Sequence, residues 1–204
     1  MKITDRFIDT GKYLYLFADE VLVNCIECGT AGTVIATWEG HAWSASFHCV
    51  NCELKLSSDI GHWYGPVRAH GRQPCGYCGH KWLTPTIKYT TPPINPAIQL
   101  TAVCEECNHE TLVKANLSRD YPADGCCDPH FGLPLRLTLD TRFGTVWSYN
   151  RTHLEEMSSY VSAKLRQRQN VHNGAMFSRL PKWMKVAKHR VEISRALAKL
   201  EAIA

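Results

Sequence analysis

Eight of the ten cysteines occur as four Cys-x-x-Cys pairs. A pair with this spacing forms a tight turn that directs two thiolates toward one point, and Zn²⁺ binds four such ligands in a tetrahedron. Two pairs complete one closed structural site, so four pairs predict two structural Zn²⁺ ions per chain. Neighbouring pairs are the natural partners, the first with the second and the third with the fourth. The pairs are Cys25/Cys28, Cys49/Cys52, Cys75/Cys78 and Cys104/Cys107.

The residues between the first two pairs predict a β-hairpin. Two runs rich in β-forming residues, 33–38 and 42–47, flank Glu39-Gly40, where glycine permits the positive φ of a tight turn. Between the third and fourth pairs, an irregular proline-rich excursion over 84–96 precedes a strand over 97–103. Cysteine turn, strand, turn, strand and cysteine turn is the order that a zinc ribbon requires, so we predict two tandem ribbons.

Two tryptophans, Trp38 and Trp43, lie on either side of the predicted turn in the first ribbon. They could pair across the hairpin and cover its small core. They could instead stack on nucleobases. We favour the packing role, because a small cysteine-rich domain buries little other apolar surface.

A further group of metal-ligating residue types is Cys126, Cys127, Asp128 and His130. The side chains of adjacent cysteines point apart, so they rarely share one metal ion. A third metal site or a catalytic site using one of these cysteines with Asp128 and His130 is one interpretation. Buried or incidental thiols are the other, and we favour it.

The cysteines could also form the disulfides of a secreted protein. Charged residues near the start of the sequence, such as Lys2, Asp5 and Arg6, interrupt any apolar segment of the kind that a signal peptide contains. The apolar runs are shorter than a membrane span. We therefore expect a cytoplasmic protein with metal-bound thiolates and no membrane partner.

Positive charge is concentrated at the C-terminal end of the sequence. Residues 151–204 contain 11 Lys and Arg against 4 Asp and Glu, a net charge of +7, whereas residues 1–150 carry 12 against 15, a net charge of −3. A basic segment of this kind predicts contact with nucleic-acid phosphates or an acidic partner. The solvated face of a helix is the plainer interpretation of each single residue. The candidate phosphate contacts are Lys182, Lys185, Lys188 and Arg195, followed by Arg166 and Arg168.

The remaining elements predict an α+β protein. Strands are expected over 12–17 and 21–23, a connector over 53–74, and a hairpin formed by 133–139 and 145–149. Thr152 and Glu155 form a capping box for a helix that runs through Leu165 to Arg168. After a loop over 170–178, Leu180-Pro181 opens a second basic helix whose apolar face holds Val186, Ile193, Leu197 and Leu200. The predicted segments are the first ribbon with N-terminal strands (1–67), the second ribbon (68–120), and the hairpin with the basic two-helix region (121–204).

Three further stretches carry a resemblance: Phe131-Gly132-Leu133-Pro134-Leu135, Trp147-Ser148-Tyr149-Asn150, and Arg179-Leu180-Pro181-Lys182-Trp183-Met184-Lys185. With the cysteine pairs, they resemble bacterial zinc-ribbon-containing proteins of the transcription-factor-IIB type. The resemblance covers about the last 80 residues and the cysteine pairs. It implies zinc binding and a bacterial or phage origin, and it supplies no settled activity.

Three functions fit these observations; we predict the first, keep the second as its alternative, and do not expect an enzyme. The first is a non-catalytic nucleic-acid-binding protein in which the ribbons are a scaffold and the basic helices contact phosphate. The second is an adaptor or subunit of a larger assembly, with aromatic anchors at Trp63, Tyr64, Trp82 and Trp183. The third is a zinc enzyme; the sequence holds no zinc-protease, phosphate-loop or nucleophile-elbow motif, and two complete Cys₄ sites leave no open coordination position.

Overall fold

The computed structural model describes residues 6–121, 126–169 and 172–204. The chain forms two compact units: unit 1 comprises Met1–His62 and Asp124–Ala204, and unit 2 comprises Trp63–Ala123. These units differ from the three predicted segments, because the first cysteine-rich region and the C-terminal region belong to one unit. Unit 2 is thus inserted in the sequence of unit 1.

The fold is mixed α+β and consists mostly of short strands. In unit 1 the strands are β1 (Arg6–Asp9), β2 (Glu20–Asn24), β3 (Ala31–Trp38), β4 (Trp43–His48), β5 (Lys55–Ser57), β11 (Leu137–Thr141), β12 (Gly144–Ser148) and β13 (Leu165–Arg168). In unit 2 they are β6 (Val67–His70), β7 (Thr86–Tyr89), β8 (Gln99–Val103), β9 (Glu110–Lys114) and β10 (Asn116–Arg119). The α-helices, all in unit 1, are α1 (Arg151–Ser162), α2 (Met176–Arg179), α3 (Lys182–Lys185) and α4 (Arg190–Glu201), and short 3₁₀ helices span Leu14–Phe17, Ser58–Ile60 and Ala187–His189.

An antiparallel sheet in the order β2-β3-β4-β5 carries the first cysteine pairs. Val21, Val34, Phe47 and Leu56 are directly opposite one another in successive strands, and all four are buried. This row is the core of the sheet. Gly32 leaves space for the Phe47 ring, since a Cβ on Gly32 would lie 2.7 Å from a ring carbon.

The free edge of β2 is completed by the C-terminal region, which explains why the two belong to one unit. The Leu22 N–H donates to the Tyr149 carbonyl at 2.7 Å, and the Asn24 N–H donates to the Pro134 carbonyl at 2.9 Å. The Arg136 N–H donates back to the Leu22 carbonyl at 3.0 Å. The two long helices then bury their apolar faces against each other and the β11-β12 hairpin. The fully buried residues include Leu154, Met157, Ile193, Leu197 and Leu200.

Helix α1 is capped by Asn150, and the predicted capping box at Thr152 is wrong. The Asn150 Oδ1 accepts the His153 N–H at 2.8 Å, while the Asn150 Nδ2 donates to the carbonyls of Phe17 and Glu20. Asn150 therefore both begins the helix and ties it to the N-terminal segment. Thr152 is exposed in the first turn.

The extension of this helix through Leu165 to Arg168 is also wrong. Helix α1 ends at Ser162, Ala163 is extended, and Leu165–Arg168 forms β13, which pairs in parallel with Arg6–Asp9. Leu165, which fitted the apolar spacing of the helix, is 60% exposed. The backbone of this segment obtains its hydrogen bonds from β1, a partner that local periodicity does not reveal.

The predicted last helix is broken into shorter pieces. Val186 has an extended conformation, with φ −78° and ψ 127°, and separates Lys182–Lys185 from the helix that begins at Arg190. Val186 is 38% exposed, so it is not part of the buried face that continues through Ile193 and Leu197. The helix Met176–Arg179 begins within the predicted loop over 170–178, of which residues 170 and 171 lie outside the described residues.

Two further predictions fail because the segments have tertiary partners. The predicted N-terminal strand is a 3₁₀ helix at Leu14–Phe17, which buries Phe17 and exposes Leu16.

The predicted connector 53–74 contains β5 and also β6, the central strand of a three-stranded sheet in the order β10-β6-β7. Strand β7 likewise lies within the excursion predicted to be irregular. The second sheet of unit 2 is the pair β8-β9.

Candidate metal centres

The four Cys-x-x-Cys turns share one backbone geometry. In each, the N–H of the residue after the second cysteine donates to the carbonyl of the first cysteine, at distances of 2.8–3.2 Å. That residue is left-handed in every turn, with φ between 56° and 71°. The four residues are Gly29, Glu53, Gly79 and Asn108. Glycine and asparagine suit this conformation, whereas glutamate does so at a cost.

The eight sulfur atoms form two groups of four. Cys25, Cys28, Cys49 and Cys52 form one group in unit 1, and Cys75, Cys78, Cys104 and Cys107 form the other in unit 2. The grouping predicted from the sequence is therefore confirmed. Sulfur–sulfur distances between turns are 3.5 and 3.6 Å in the first group and 3.6 Å for both pairs in the second.

These distances fit a tetrahedral metal site. Zn–S bonds of about 2.3 Å at tetrahedral angles place sulfurs about 3.8 Å apart, close to the separations found. The ligand atoms of each group all lie within 4.8 Å of one another. None of the ten cysteines, all within the described residues, forms a disulfide, and a disulfide would require a separation of about 2.05 Å. Each group could hold one metal ion through four protein ligands.

Each group is half-buried and contacts hydrogen-bond donors. Cys25 and Cys49 are buried, whereas Cys28 and Cys52 are exposed. In unit 2, the Tyr77 N–H donates to the sulfur of Cys75 at 3.4 Å, and the Thr111 hydroxyl donates to the same sulfur at 3.7 Å. Donors of this kind orient thiolate ligands and stabilise their charge.

The thiol pKa values within each group diverge. Hydrogen bonding to Thr30 lowers the pKa of Cys28 to about 5. At Cys52, the N–H of Leu54 favours the thiolate, but partial desolvation of the sulfur and the neighbouring thiols outweigh it and raise the pKa to about 12. Four like acids in contact cannot all ionise without a compensating cation. A divalent ion that binds all four sulfurs as thiolates must therefore displace protons.

The second group shows the same division. The N–H groups of Cys78 and Tyr77 lower the pKa of Cys75 to about 6. At Cys107, the N–H of His109 acts in the same direction, but burial and the neighbouring thiols raise the pKa to about 12. Both groups thus need a cation before all their sulfurs can serve as ligands.

The third candidate site, at residues 126–130, belongs to a loop whose backbone is hydrogen-bonded to the Asp128 side chain. The Asp128 carboxylate is fully buried and accepts the N–H groups of His130, Phe131 and Leu133 at 2.9, 3.0 and 2.5 Å. His130 Nε2 lies 2.7 Å from the Ala18 carbonyl, and because a carbonyl only accepts, Nε2 donates this hydrogen bond. Within residues 6–121, 126–169 and 172–204, the two Cys₄ groups are the clusters of ligand residues that could hold a metal ion.

The candidate phosphate-binding residues occupy two kinds of position. Lys182, Lys188, Arg168 and Arg195 are exposed. In contrast, the Arg166 guanidinium donates to the carbonyls of Tyr160, Val161 and Lys185 at 2.8–3.2 Å. The Lys185 ammonium donates to the Ser178 carbonyl at 2.8 Å, and burial, with the nearby Arg168, lowers its pKa. Arg166 and Lys185 therefore join the C-terminal segments to one another.

The predicted aromatic anchors also differ in role. Trp63 donates its indole N–H to the Pro66 carbonyl and lies under the guanidinium of Arg119. The Trp183 ring packs against Gly144, since a Cβ added to Gly144 would lie 2.9 Å from a ring carbon. Trp82 is different, because it is 50% exposed and has a left-handed φ of 68°. Nothing in the sequence around Trp82 signals that conformation.

Trp38 and Trp43 pair across the β3-β4 hairpin, as the packing interpretation predicted. They are directly opposite in the strand register, and their rings meet edge to face with centroids 5.5 Å apart. Trp43 also contacts the His130 ring at a centroid distance of 5.4 Å. The hairpin is thereby fastened to the loop that Asp128 organises.

No protein-family model, no curated protein and no solved structure matches the chain. The resemblance to bacterial zinc-ribbon proteins therefore stays a prediction. The helices that the structure describes are too short and too polar for any of them to traverse a lipid bilayer.

Proposed function

We propose that the chain is a zinc-binding, non-catalytic nucleic-acid-binding protein. In this proposal the two Cys₄ groups hold structural Zn²⁺ and form zinc ribbons of the transcription-factor-IIB type. Tetrahedral coordination by four thiolates favours zinc, and it leaves no position for a substrate or a reactive water. The bound ions supply folding energy to the sheets that carry the cysteine turns.

The arrangement of charge in the C-terminal segment carries the proposal. Two of its four acidic residues pair with bases outside it: Glu156 with Lys12 at 3.1 Å, and Glu192 with Arg142 at 2.6 Å. They do not neutralise the segment's own lysines and arginines. Exposed cations that keep their charge attract polyanions and release counterions on binding.

We assign phosphate contact to Lys182, Lys188 and Arg195, with Arg168 in support. Arg195 and Lys199 are four residues apart on the exposed side of α4, opposite the buried Ile193 and Leu197. Lys182 and Lys188 lie in the short segments before this helix. We exclude Arg166 and Lys185 from the proposed interface, because their side chains already donate hydrogen bonds to backbone carbonyls.

Salt titration of duplex DNA binding tests this assignment. The variant Lys182→Gln/Lys188→Gln should weaken binding and reduce the slope of log affinity against log salt by about 1.8 if both residues contact phosphate. Lys55→Gln removes an exposed cation elsewhere in unit 1 and should leave the slope near that of wild type. A slope for Lys182→Gln/Lys188→Gln equal to that of Lys55→Gln would remove these lysines from the interface.

A protein adaptor is the second candidate function, and exposed apolar side chains in unit 2 favour it. On the β8-β9 pair, Val103 is 58% and Leu112 60% exposed, and Ile98 just before β8 is 76% exposed. Side chains of this kind are suited to a partner protein. An adaptor role predicts partner binding that Val103→Ser/Leu112→Ser abolishes and that salt affects only modestly.

A further inference from the structure

One face of the three-stranded sheet in unit 2 consists entirely of polar residues. Residues directly opposite in antiparallel strands share a face. The register places Lys88 and Ser118 opposite Arg68, and Thr86 and Asn116 opposite His70. Val67 and Ala69, which alternate with these residues, are buried on the other side. The polar face therefore contains Arg68, His70 and Lys88.

The row of cations continues beyond the end of β6. The isolated bridge between Gln73 and Leu83 is in the same register as the pairing of β6 with β7, so Arg72 shares a face with Arg68 and His70. The guanidinium carbon of Arg72 lies 4.0 Å from the centroid of the Trp82 ring. We call Arg68, His70, Arg72 and Lys88 the cationic strip; Trp82 lies at its end.

The contact with Arg72 does not explain the left-handed backbone and the exposure of Trp82. Its φ of 68° costs a non-glycine residue about 1–2 kcal/mol, and half of its surface is exposed to solvent. The Nε of Arg68 and the Nδ1 of His70 are buried without a hydrogen-bond partner among the described residues. Such features lower the stability of unit 2, so they point to binding rather than to packing.

We infer that unit 2 binds single-stranded nucleic acid on this face, an inference that rests on the proposed nucleic-acid function. A base stacks on the exposed side of Trp82, and the cationic strip contacts the phosphates that follow. Alternate strand residues are about 6.6 Å apart, which is comparable with the separation of neighbouring phosphates. A duplex hides the faces of its bases, so an exposed indole beside cations favours a single strand.

Asp120 lies beside Lys88, with its Oδ2 3.8 Å from the Lys88 ammonium. This distance is long for a hydrogen-bonded ion pair, and Lys88 remains mostly exposed. A phosphate oxygen can therefore approach Lys88 without displacing a tight contact. Lys114, exposed on β9 of the other sheet in unit 2, is a matched control for charge.

The test measures binding of the zinc-loaded full chain to fluorescent oligothymidylate and oligouridylate of about 15 nucleotides. Trp82→Gly should weaken binding to single strands about tenfold or more, because the stacking partner is lost. Glycine accepts the left-handed φ, so unit 2 should keep its zinc and its stability. Trp82→Phe retains a ring and should retain most of the affinity.

Salt titrations complete the test. Lys88→Gln should reduce the salt slope for single strands by about 0.7, whereas Lys114→Gln should not change it. If Trp82→Gly and Lys88→Gln bind single strands as wild type does, the inference is overturned. The proposed function still stands in that case if Lys182→Gln/Lys188→Gln weakens duplex binding. A wild-type chain that binds neither single strands nor duplex overturns both.

Discussion

His153 should make the stability of unit 1 depend on pH below neutrality. Its side chain is 1% exposed and lies between the rings of Phe17, Trp147 and Tyr149. The Nδ1 accepts the Tyr149 N–H at 3.2 Å. Burial lowers the pKa of His153 from 6.5 to about 3, so the folded chain keeps the ring neutral where the unfolded chain protonates it.

The direction and the size of the pH effect on stability follow from the difference in the pKa of His153 between the folded and unfolded chain. Because the folded-state pKa is the lower one, the contribution of His153 is complete above pH 6.5 and is lost as the pH falls toward 3. Between pH 8 and pH 5 the loss is about 2 kcal/mol, and the full difference corresponds to about 5 kcal/mol. Urea denaturation at saturating Zn²⁺, followed by tryptophan fluorescence over this range, measures it.

The variant His153→Asn supplies the control. Its amide oxygen takes the place of Nδ1 as the acceptor for the Tyr149 N–H, but it cannot be protonated in this range. The variant should be less stable at pH 8, because the ring contacts are lost. The amount by which the free energy of unfolding of the wild type exceeds that of the variant should decrease by about 2 kcal/mol between pH 8 and pH 5. Parallel curves for the two proteins would refute a buried neutral imidazole, since protonation of thiolates and other histidines is common to both.

The remaining predictions concern the metal centres and the loop at Asp128. Cys104→Ser should reduce bound zinc from two ions to one and unfold unit 2 while unit 1 keeps its metal, measured by elemental analysis and circular dichroism; loss of both ions would mean that the sites are coupled. Asp128→Asn should cost about 2–4 kcal/mol of stability in urea denaturation with zinc content unchanged, whereas a fall in zinc content would revive a third metal site. Glu53→Gly should raise stability by roughly 0.5–1 kcal/mol, because glycine relieves the left-handed strain and the exposed pair with His48 contributes little; a loss of stability would show that this pair matters.

The metal centres could be predicted because their information is local. Two ligands three residues apart need only a tight turn, and the glycines after Cys28 and Cys78 even mark its left-handed end. The same conformation at Glu53 could not be foreseen, since glutamate rarely adopts it. One backbone geometry is shared by four turns whose sequences differ.

The C-terminal elements were predicted less well because their boundaries depend on distant partners. Leu165 and Arg168 continue the helical spacing of α1, yet they belong to β13, which pairs with β1 near the start of the sequence. Asn150 replaces Thr152 as the cap because the same side chain also reaches the carbonyls of Phe17 and Glu20. No window of ten or twenty residues contains these contacts.

Arg166 illustrates the same limit for the site. From sequence, it is one cation among eleven in a basic segment. In the structure its guanidinium joins α1 to the segment that contains Lys185 through carbonyl acceptors. Composition indicated where charge accumulates, but only the fold distinguishes cations that face solvent from those that fasten the chain.

The pairing of the β2 edge with the C-terminal region has a consequence for the nascent polypeptide. Leu22 leaves the ribosome 127 residues ahead of its partner Tyr149, a delay of about 6–25 s at ordinary rates of elongation. Throughout that interval β2 is an unpaired edge strand of the first sheet, onto which a strand of another chain could pair and so begin aggregation. Early capture of zinc by Cys25, Cys28, Cys49 and Cys52, all synthesised before residue 53, would hold that sheet together until the C-terminal region that completes β2 emerges.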